Sequence, residues 1–381
     1  MNLYDNKIMN KTISLTFIAF WTLTTSVLYG QIKKENLDTL VDRLGKNFTK
    51  NKQAIGLSIG IYNNGKNYFY NYGTTEREET KLPTQNTVYE IGSITKAFVS
   101  LILANAVIEK KVKLDDDIRK YLDGNYPNLE CKGKPVTLLE LSNTTSRLPN
   151  WLPLFTKQIS DAPPDSIPYY IEKVYKRYSQ KDIFDALHKV LLDTIPGTKS
   201  EHSNGAALLL TYILEKVYHT SIENLIEKYI LKPEKMNETS FLASKVNPKS
   251  LAKGYNDTGK QMPYFATTFM KGVGGMNSTT LDLLNFIKLQ LDTTKAAINL
   301  SHQKTFNTGW GNIGLTWLIY KFDNGNHQLW ADGGTYGFTS YVIFYPEINS
   351  GVVVLSNESD PSSSNRISDV ADGIFQFINK K

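Results

Sequence analysis

Cysteine is almost absent. The 381 residues contain one, Cys131, so no disulfide can form within the chain. Histidine is scarce too. His188, His219, His302 and His327 are scattered without ligand spacing, which argues against a metal site. Charge of one sign is not concentrated: 43 basic against 37 acidic residues give a net +6 and no Lys/Arg cluster, so nucleic acid is not an expected partner. Only one long apolar run exists, and the mean hydropathy of −0.32 excludes a multi-span membrane protein. Repeats and low-complexity tracts are missing. Aromatics are plentiful. With 22 Tyr, 17 Phe and 5 Trp the chain can build a large core, which excludes disorder as its main state.

The one apolar run lies at the start. Lys7 and Lys11 precede Ile13 to Leu28, and small Gly30 follows. A basic start, a short apolar stretch and a small residue read as a signal peptide over residues 1–30, with the mature chain periplasmic or secreted. A membrane anchor is the alternative, because Leu28 fits the small-residue rule poorly. A membrane would be a partner only if this segment stayed uncut. Lipid attachment is excluded, since no cysteine stands nearby.

Beyond it, Asn36 to Lys52 has helical spacing, with Leu37, Leu40, Val41 and Leu44 on one face. Alternation at Ile55, Leu57, Ile59 and Ile61, then Asn64-Gly65, then Tyr68, Tyr70 and Tyr72, predicts a β-hairpin. Ile94 to Val107 is apolar nearly all round, as in a central buried helix. Residues 115–240 read as helical and loop-rich. Strands return at Leu315–Tyr320, His327–Trp330, Phe338–Tyr345 and Gly351–Leu355, with a turn at Asp323-Asn324-Gly325, and a helix over Ile367–Ile378 closes the chain. The length is a prior for about two to three domains. Strands at both ends instead predict one interleaved α/β (α+β) unit over 31–381, its α/β part split over about 35–110 and 240–381, with a helical insert over about 111–239.

Ser93-Ile94-Thr95-Lys96 opens the buried helix, directly after the strand-like run Thr87–Ile91. There, free backbone N–H groups and the helix dipole favour a developing oxyanion, and Lys96 returns to the same face one turn on. A buried amine beside a hydroxyl can take its proton. An ordinary helix N-cap is the competing reading of Ser93. A second Ser-x-x-Lys, Ser301 to Lys304, lacks a helix.

The run EIGSITKAFVSLILANAVIEKKVKLDDDIRKYL resembles the serine β-lactamase and penicillin-binding superfamily, on its class C-like branch, which also holds carboxypeptidases, D-amino-acid peptidases and esterases. The resemblance continues in order through LLELSNTTSRLPNW, IPGTKSEHSNGAALLLTYILEKV, KPEKMNETSF, GVGGMNSTTLDLLNF and WADGGTYGFTSYVIFYPE, and spans roughly residues 35–380. It implies a β-lactamase/transpeptidase-like fold, an antiparallel sheet flanked by helices, with Ser93 as nucleophile and Lys96 as its base.

The family's Tyr-x-Asn motif falls on His202-Ser203-Asn204. The resemblance implies that Asn204 would hydrogen-bond the lysine and the substrate. His202 replaces the tyrosine. Imidazole can relay protons near neutral pH but is shorter than a phenol, so His202 is read either as a substituted general base or as a lost catalytic group. Ser203 is the other hydroxyl that could relay a proton, but its position in the motif argues against that role.

The family's third motif, a basic residue, any residue, then Gly, falls on Ala331-Asp332-Gly333-Gly334. Ala331 removes the cation that would meet a substrate carboxylate, a loss of about 1.5–3 kcal/mol, or roughly ten- to a hundredfold. Efficient β-lactam hydrolysis is therefore not expected. The match implies an oxyanion hole from the N–H groups of Ser93 and Gly334, with Gly333 and Gly334 letting substrate approach the strand. Asp332 is read either as a turn acid or as a binder of a cationic substrate group. Trp151 is read as lining the groove or as core. Gly272 to Gly275 lacks the Lys-Ser/Thr of a phosphate loop and is placed as a close-packed turn before a helix.

The expected function is an exported serine hydrolase acting on an amide or ester: a peptide, a D-amino-acid derivative or a small ester. It needs no cofactor. Its expected partner is a small-molecule or peptide substrate, of which cell-wall fragments are one source, and the protein is expected to be a monomer. A β-lactamase or carboxypeptidase and a non-catalytic binder of wall or peptide ligands are the alternatives.

Overall fold

In the computed structural model, which describes residues 36–51, 53–241, 250–265 and 268–379, the first periodic segment is helix α1 (Leu37–Thr49). The targeting segment over residues 1–30 lies outside the described residues, among which no helix is long and apolar enough to cross a membrane. Strands β1 (Gly56–Asn63) and β2 (Lys66–Gly73) follow as the expected hairpin. Asn64 and Gly65 both take positive φ, 46° and 89°, which matches the right-handed twist of the two strands.

Helix α2 (Thr95–Ile108) comes next, then the mainly helical stretch containing α3 (Asn204–Tyr218). After α4 (Thr280–Leu291) the chain adds β3 (Phe306–Asn307), β4 (Asn312–Ile313), β5 (Leu318–Lys321), β6 (His327–Gly334), β7 (Thr339–Tyr345) and β8 (Ser350–Ser356). Helix α5 (Ser363–Ile378) ends it. The eight strands form one antiparallel sheet in the order β2-β1-β8-β7-β6-β5-β4-β3, so both ends of the chain meet at β1 and β8.

Alternation decides which side chain goes to which face. Leu57, Ile59 and Ile61 of β1 pack with Val41 and Phe48 of α1 and with Ile367, Val370 and Ile374 of α5. On the other face, a Cβ at Gly60 would lie 3.2 Å from Leu284 of α4, so glycine lets that helix sit against the sheet. Helix α2 runs through this larger core. Phe98 stacks on Phe286 with ring centroids 3.9 Å apart, and Leu101, Ile102, Leu103 and Ala104 are buried. Each such aliphatic or aromatic side chain contributes about 1.5–3 kcal/mol. The helix that carries Lys96, and that follows directly on Ser93, is thus packed within the core.

Two sequence expectations need correction. The strand placed at Leu315–Tyr320 begins only at Leu318, because Thr316 adopts φ 71° and its hydroxyl is tied to Ser100 and to the carbonyl of Ser142. Ser301 does lie in a helix, Ala296–His302, but near its C-terminal end, buried and donating to the carbonyl of Ile298. No helix dipole favours an oxyanion there.

Candidate active site

Ser93 sits in a single 3-10 turn, Gly92–Ile94, that runs directly into α2. Its hydroxyl caps neither element. Instead Ser93 Oγ lies 2.7 Å from Lys96 Nζ. The turn is forced by Gly92, whose φ is 47° and whose Cβ, if present, would stand 2.6–2.7 Å from the backbone O and N of Gly334. Only glycine fits both demands.

Lys96 also donates to the carbonyl of Val273, 2.9 Å away. Burial pulls its amine down to about 7, while the carboxylate of Asp332 works against that shift. Near neutral pH a large share of Lys96 is therefore an uncharged amine that can accept the Ser93 proton. Val273 comes from the glycine-rich stretch, which forms a short helix, Lys271–Gly274, rather than a bare turn.

His202 stands just before α3, open to the cleft, and Ser203 caps the helix by accepting from Ala206 N–H at 2.9 Å. Surrounding protein and the charge of Lys96 lower the imidazole to about 4, so it is neutral at pH 7. Its Nδ1 is 3.0 Å from Asn150 Oδ1, which also accepts the backbone N–H of Asn204 at 3.2 Å. A backbone N–H can only donate, so the Asn150 atom facing both groups is the oxygen. The imidazole must then carry its proton on Nδ1 and leave the Nε2 lone pair free. That is the tautomer a general base requires. Asn150 was missed in the sequence, where it is only the residue before Trp151.

Asn204 departs from its expected role. Among the described residues its side chain makes no hydrogen bond to Lys96, whose amine meets Ser93 Oγ and the carbonyl of Val273. It still lines the cleft beside Ser93, with Trp151, Gly334 and Tyr336. Trp151 lines this cavity and packs on Phe155 and Tyr175, with centroids 4.5 and 5.8 Å away.

The ladder explains the opposite wall. Thr335 N–H bonds the carbonyl of Phe338, so by alternation Asp332 and Gly334 turn their backbone groups away from β7. Strand β5 starts opposite Trp330, which leaves that edge of β6 open beyond it. A Cβ at Gly333 would lie 2.1 Å from the carbonyl oxygen of Ile91 and 2.8 Å from Ser93 N. These close approaches pack the β6 backbone against the turn that carries Ser93, and Ser93 and Gly334 line one cavity. Glu90, also missed, braces the hairpin. It is buried, its carboxyl is pushed up to about 7 by burial, and it accepts from Thr335 Oγ1 at 2.6 Å and Phe265 N at 2.5 Å.

Asp332 is not a remote turn acid. It lines a cleft of about 600 Å3 with Ser93, Lys96, His202 and Ala331. A larger neighbouring groove of about 790 Å3 meets this cleft at His202 but reaches neither Ser93 nor Lys96, so the chemistry does not lie there.

The model of the family described as "Beta-lactamase" matches residues 38–373. The chain belongs to the Beta-lactamase family. A β-lactamase of Yersinia enterocolitica is 25% identical over 400 residues, covering 93% of this chain and 96% of its own. Protein flp of Staphylococcus aureus (strain MRSA252) is 30% identical over 313 residues, 79% of this chain and 59% of the longer relative. Among solved structures, a class C β-lactamase superposes with a TM-score of 0.75 at 23% identity, covering 92% of this chain and all of the other, which shows the fold. An octameric penicillin-binding protein homologue from Pyrococcus abyssi gives 0.73 at 25% identity, covering 91% and 77%. The α/β architecture, with its antiparallel sheet flanked by helices, is that of this family member's structural neighbours.

Proposed function

We propose that this family member is an exported serine hydrolase that forms an acyl-enzyme on Ser93 and acts on an amide or ester. The observation that carries the reading is the 2.7 Å contact between Ser93 Oγ and the depressed amine of Lys96. Ser93 Oγ attacks the carbonyl carbon and its proton passes to Lys96 Nζ. The Ser93 and Gly334 N–H groups receive the oxyanion. The C–N or C–O bond then breaks as the leaving group takes a proton from the Lys96–His202 pair. His202 Nε2 afterwards draws a proton from water, whose oxygen attacks the acyl carbon, and the acyl–Oγ bond breaks as Ser93 Oγ takes that proton back from the Lys96–His202 pair. Asn150 holds the imidazole for this step. Trp151 and Asn204 line the substrate groove, and Gly333 lets substrate approach the β6 edge.

Several relatives are named β-lactamases, yet an anionic lactam would find Ala331 and Asp332 where this reading needs a cation. Small esters, peptides or D-amino-acid derivatives fit better, and the N-terminal segment supports a periplasmic or secreted setting.

The test is covalent labelling. A fluorophosphonate incubated with the full chain is expected to add its mass to the peptide containing Ser93. Failure of every acylating probe to label the protein would overturn the hydrolase reading in favour of a binder. Replacing His202 by Ala is expected to cut steady-state ester hydrolysis at least about a hundredfold while the thermal transition stays cooperative. Near-normal turnover would assign both proton transfers to Lys96.

A further inference from the structure

The cleft around Ser93 contains groups the hydrolytic chemistry does not use. Asp332 stands where β6 has an open edge and lines the cleft, two residues before Gly334. Among the described residues its carboxylate has no side-chain hydrogen-bond partner. Its own backbone N–H and the charge of Lys96 are what stabilise it against burial. The same cleft is lined by Trp310 and Phe306.

Trp310 is 58% exposed, which is unusual for so large an apolar side chain. Its turn is braced by hydrogen bonds. It stands on the turn between β3 and β4, where Thr308 and Gly311 exchange hydrogen bonds and Asn307 Oδ1 accepts Gly309 N–H. Its ring centroid is 6.0 Å from that of Trp330. An exposed aromatic face and a carboxylate with no side-chain hydrogen-bond partner among the described residues are, in one cleft, the two elements that bind an ammonium group, one through the ring quadrupole and one through a charged hydrogen bond. Two other charges line the cleft. Lys96 is tied to Ser93 and Val273. Lys199 is exposed, and its charge bears on Asp193.

We propose that this cleft selects substrates carrying a cationic amine close to the scissile carbonyl, with Asp332 taking the ammonium and Trp310 covering it. The proposal rests on the hydrolase reading above for the word substrate, but the amine site itself does not. It also couples recognition to chemistry. A bound ammonium neutralises the carboxylate that holds a proton on Lys96, so binding favours the uncharged amine that accepts the Ser93 proton.

The experiment compares three ligands of one shape, benzylammonium, benzyl alcohol and phenylacetate, by calorimetric titration of the full chain at pH 7. Benzylammonium is expected to bind at least about tenfold more tightly than the other two, the size of one charge-assisted hydrogen bond. Asp332→Asn is expected to remove that preference, and Trp310→Ala, on an exposed turn, to weaken benzylammonium about threefold. In Asp332→Asn the pH of half-maximal Ser93 labelling is also expected to move down, because the charge that raises the Lys96 pKa is gone. Equal binding of benzylammonium and benzyl alcohol, tighter binding of phenylacetate, or an amine preference that survives both variants would overturn the proposal. If no probe labels Ser93, the hydrolase reading falls while the titration still decides the amine site.

Discussion

Lys96→Met is expected to slow acylation of Ser93 by a fluorophosphonate on the order of a thousandfold, and at the same time to raise the melting temperature. The first effect follows from removing the base that Ser93 touches, since a positioned general base supplies about 10²–10⁴ in rate. The second follows from the same burial. An amine held at about 7 instead of its usual 10.5 binds fewer protons folded than unfolded throughout that interval. Stability is therefore lowest below pH 7 and recovers as pH rises from about 7 towards 10.5. At neutral pH the native lysine costs the fold a few kcal/mol, which an uncharged methionine of similar length does not. In the native protein, labelling is expected to rise with pH through about 7 and then level. The imidazole of His202 titrates near 4, so it does not set that limb. A labelling rate flat between pH 5 and 9, or a lower melting temperature for Lys96→Met, would refute the account.

The legible parts of this protein are those whose signal is local. Alternation at Leu57, Ile59 and Ile61 placed β1 and its buried face, and Asn64-Gly65 placed the turn, because strand period and left-handed φ each demand particular residues. Ser93 and Lys96 were found because three residues along a helix is a contact distance. What stayed hidden runs through the backbone or across long sequence separations. The carbonyl of Val273 holds Lys96, yet a carbonyl has no side-chain signature. Asn150 meets His202 fifty-two positions away, and nothing near it distinguishes it from a turn asparagine. The bond implied between Asn204 and Lys96 is not made, because a resemblance carries residue types and not side-chain placement. Asp332 could be told from a turn acid only when β5 was seen to start too late to cover its edge.

That close-packed edge gives the second large effect. Gly333→Val is expected to lower Ser93 acylation on the order of a thousandfold and to destabilise the fold by about 1–3 kcal/mol. The added Cβ alone would sit 2.1 Å from the carbonyl oxygen of Ile91, 2.7 Å from Ser340 Oγ and 2.8 Å from Ser93 N. Ser340 Oγ is itself bonded to the carbonyl of Ile91, so the hydroxyl cannot swing aside without losing that contact. The other two obstacles are backbone, and the backbone belongs to the turn that aims Ser93. Relief therefore moves that turn relative to β6, and with it the Ser93 N–H of the proposed oxyanion hole, a donor worth about 10²–10³ in rate. Gly334→Ala is the informative contrast. Its Cβ would meet only the carbonyl of Phe338, at 3.9 Å, so it is expected to lose far less activity than Gly333→Val. Probe labelling and thermal melts of both variants decide the matter. Equal losses at the two positions would mean that strand edge flexibility, and not the approach of Gly333 to Ser93, governs the site.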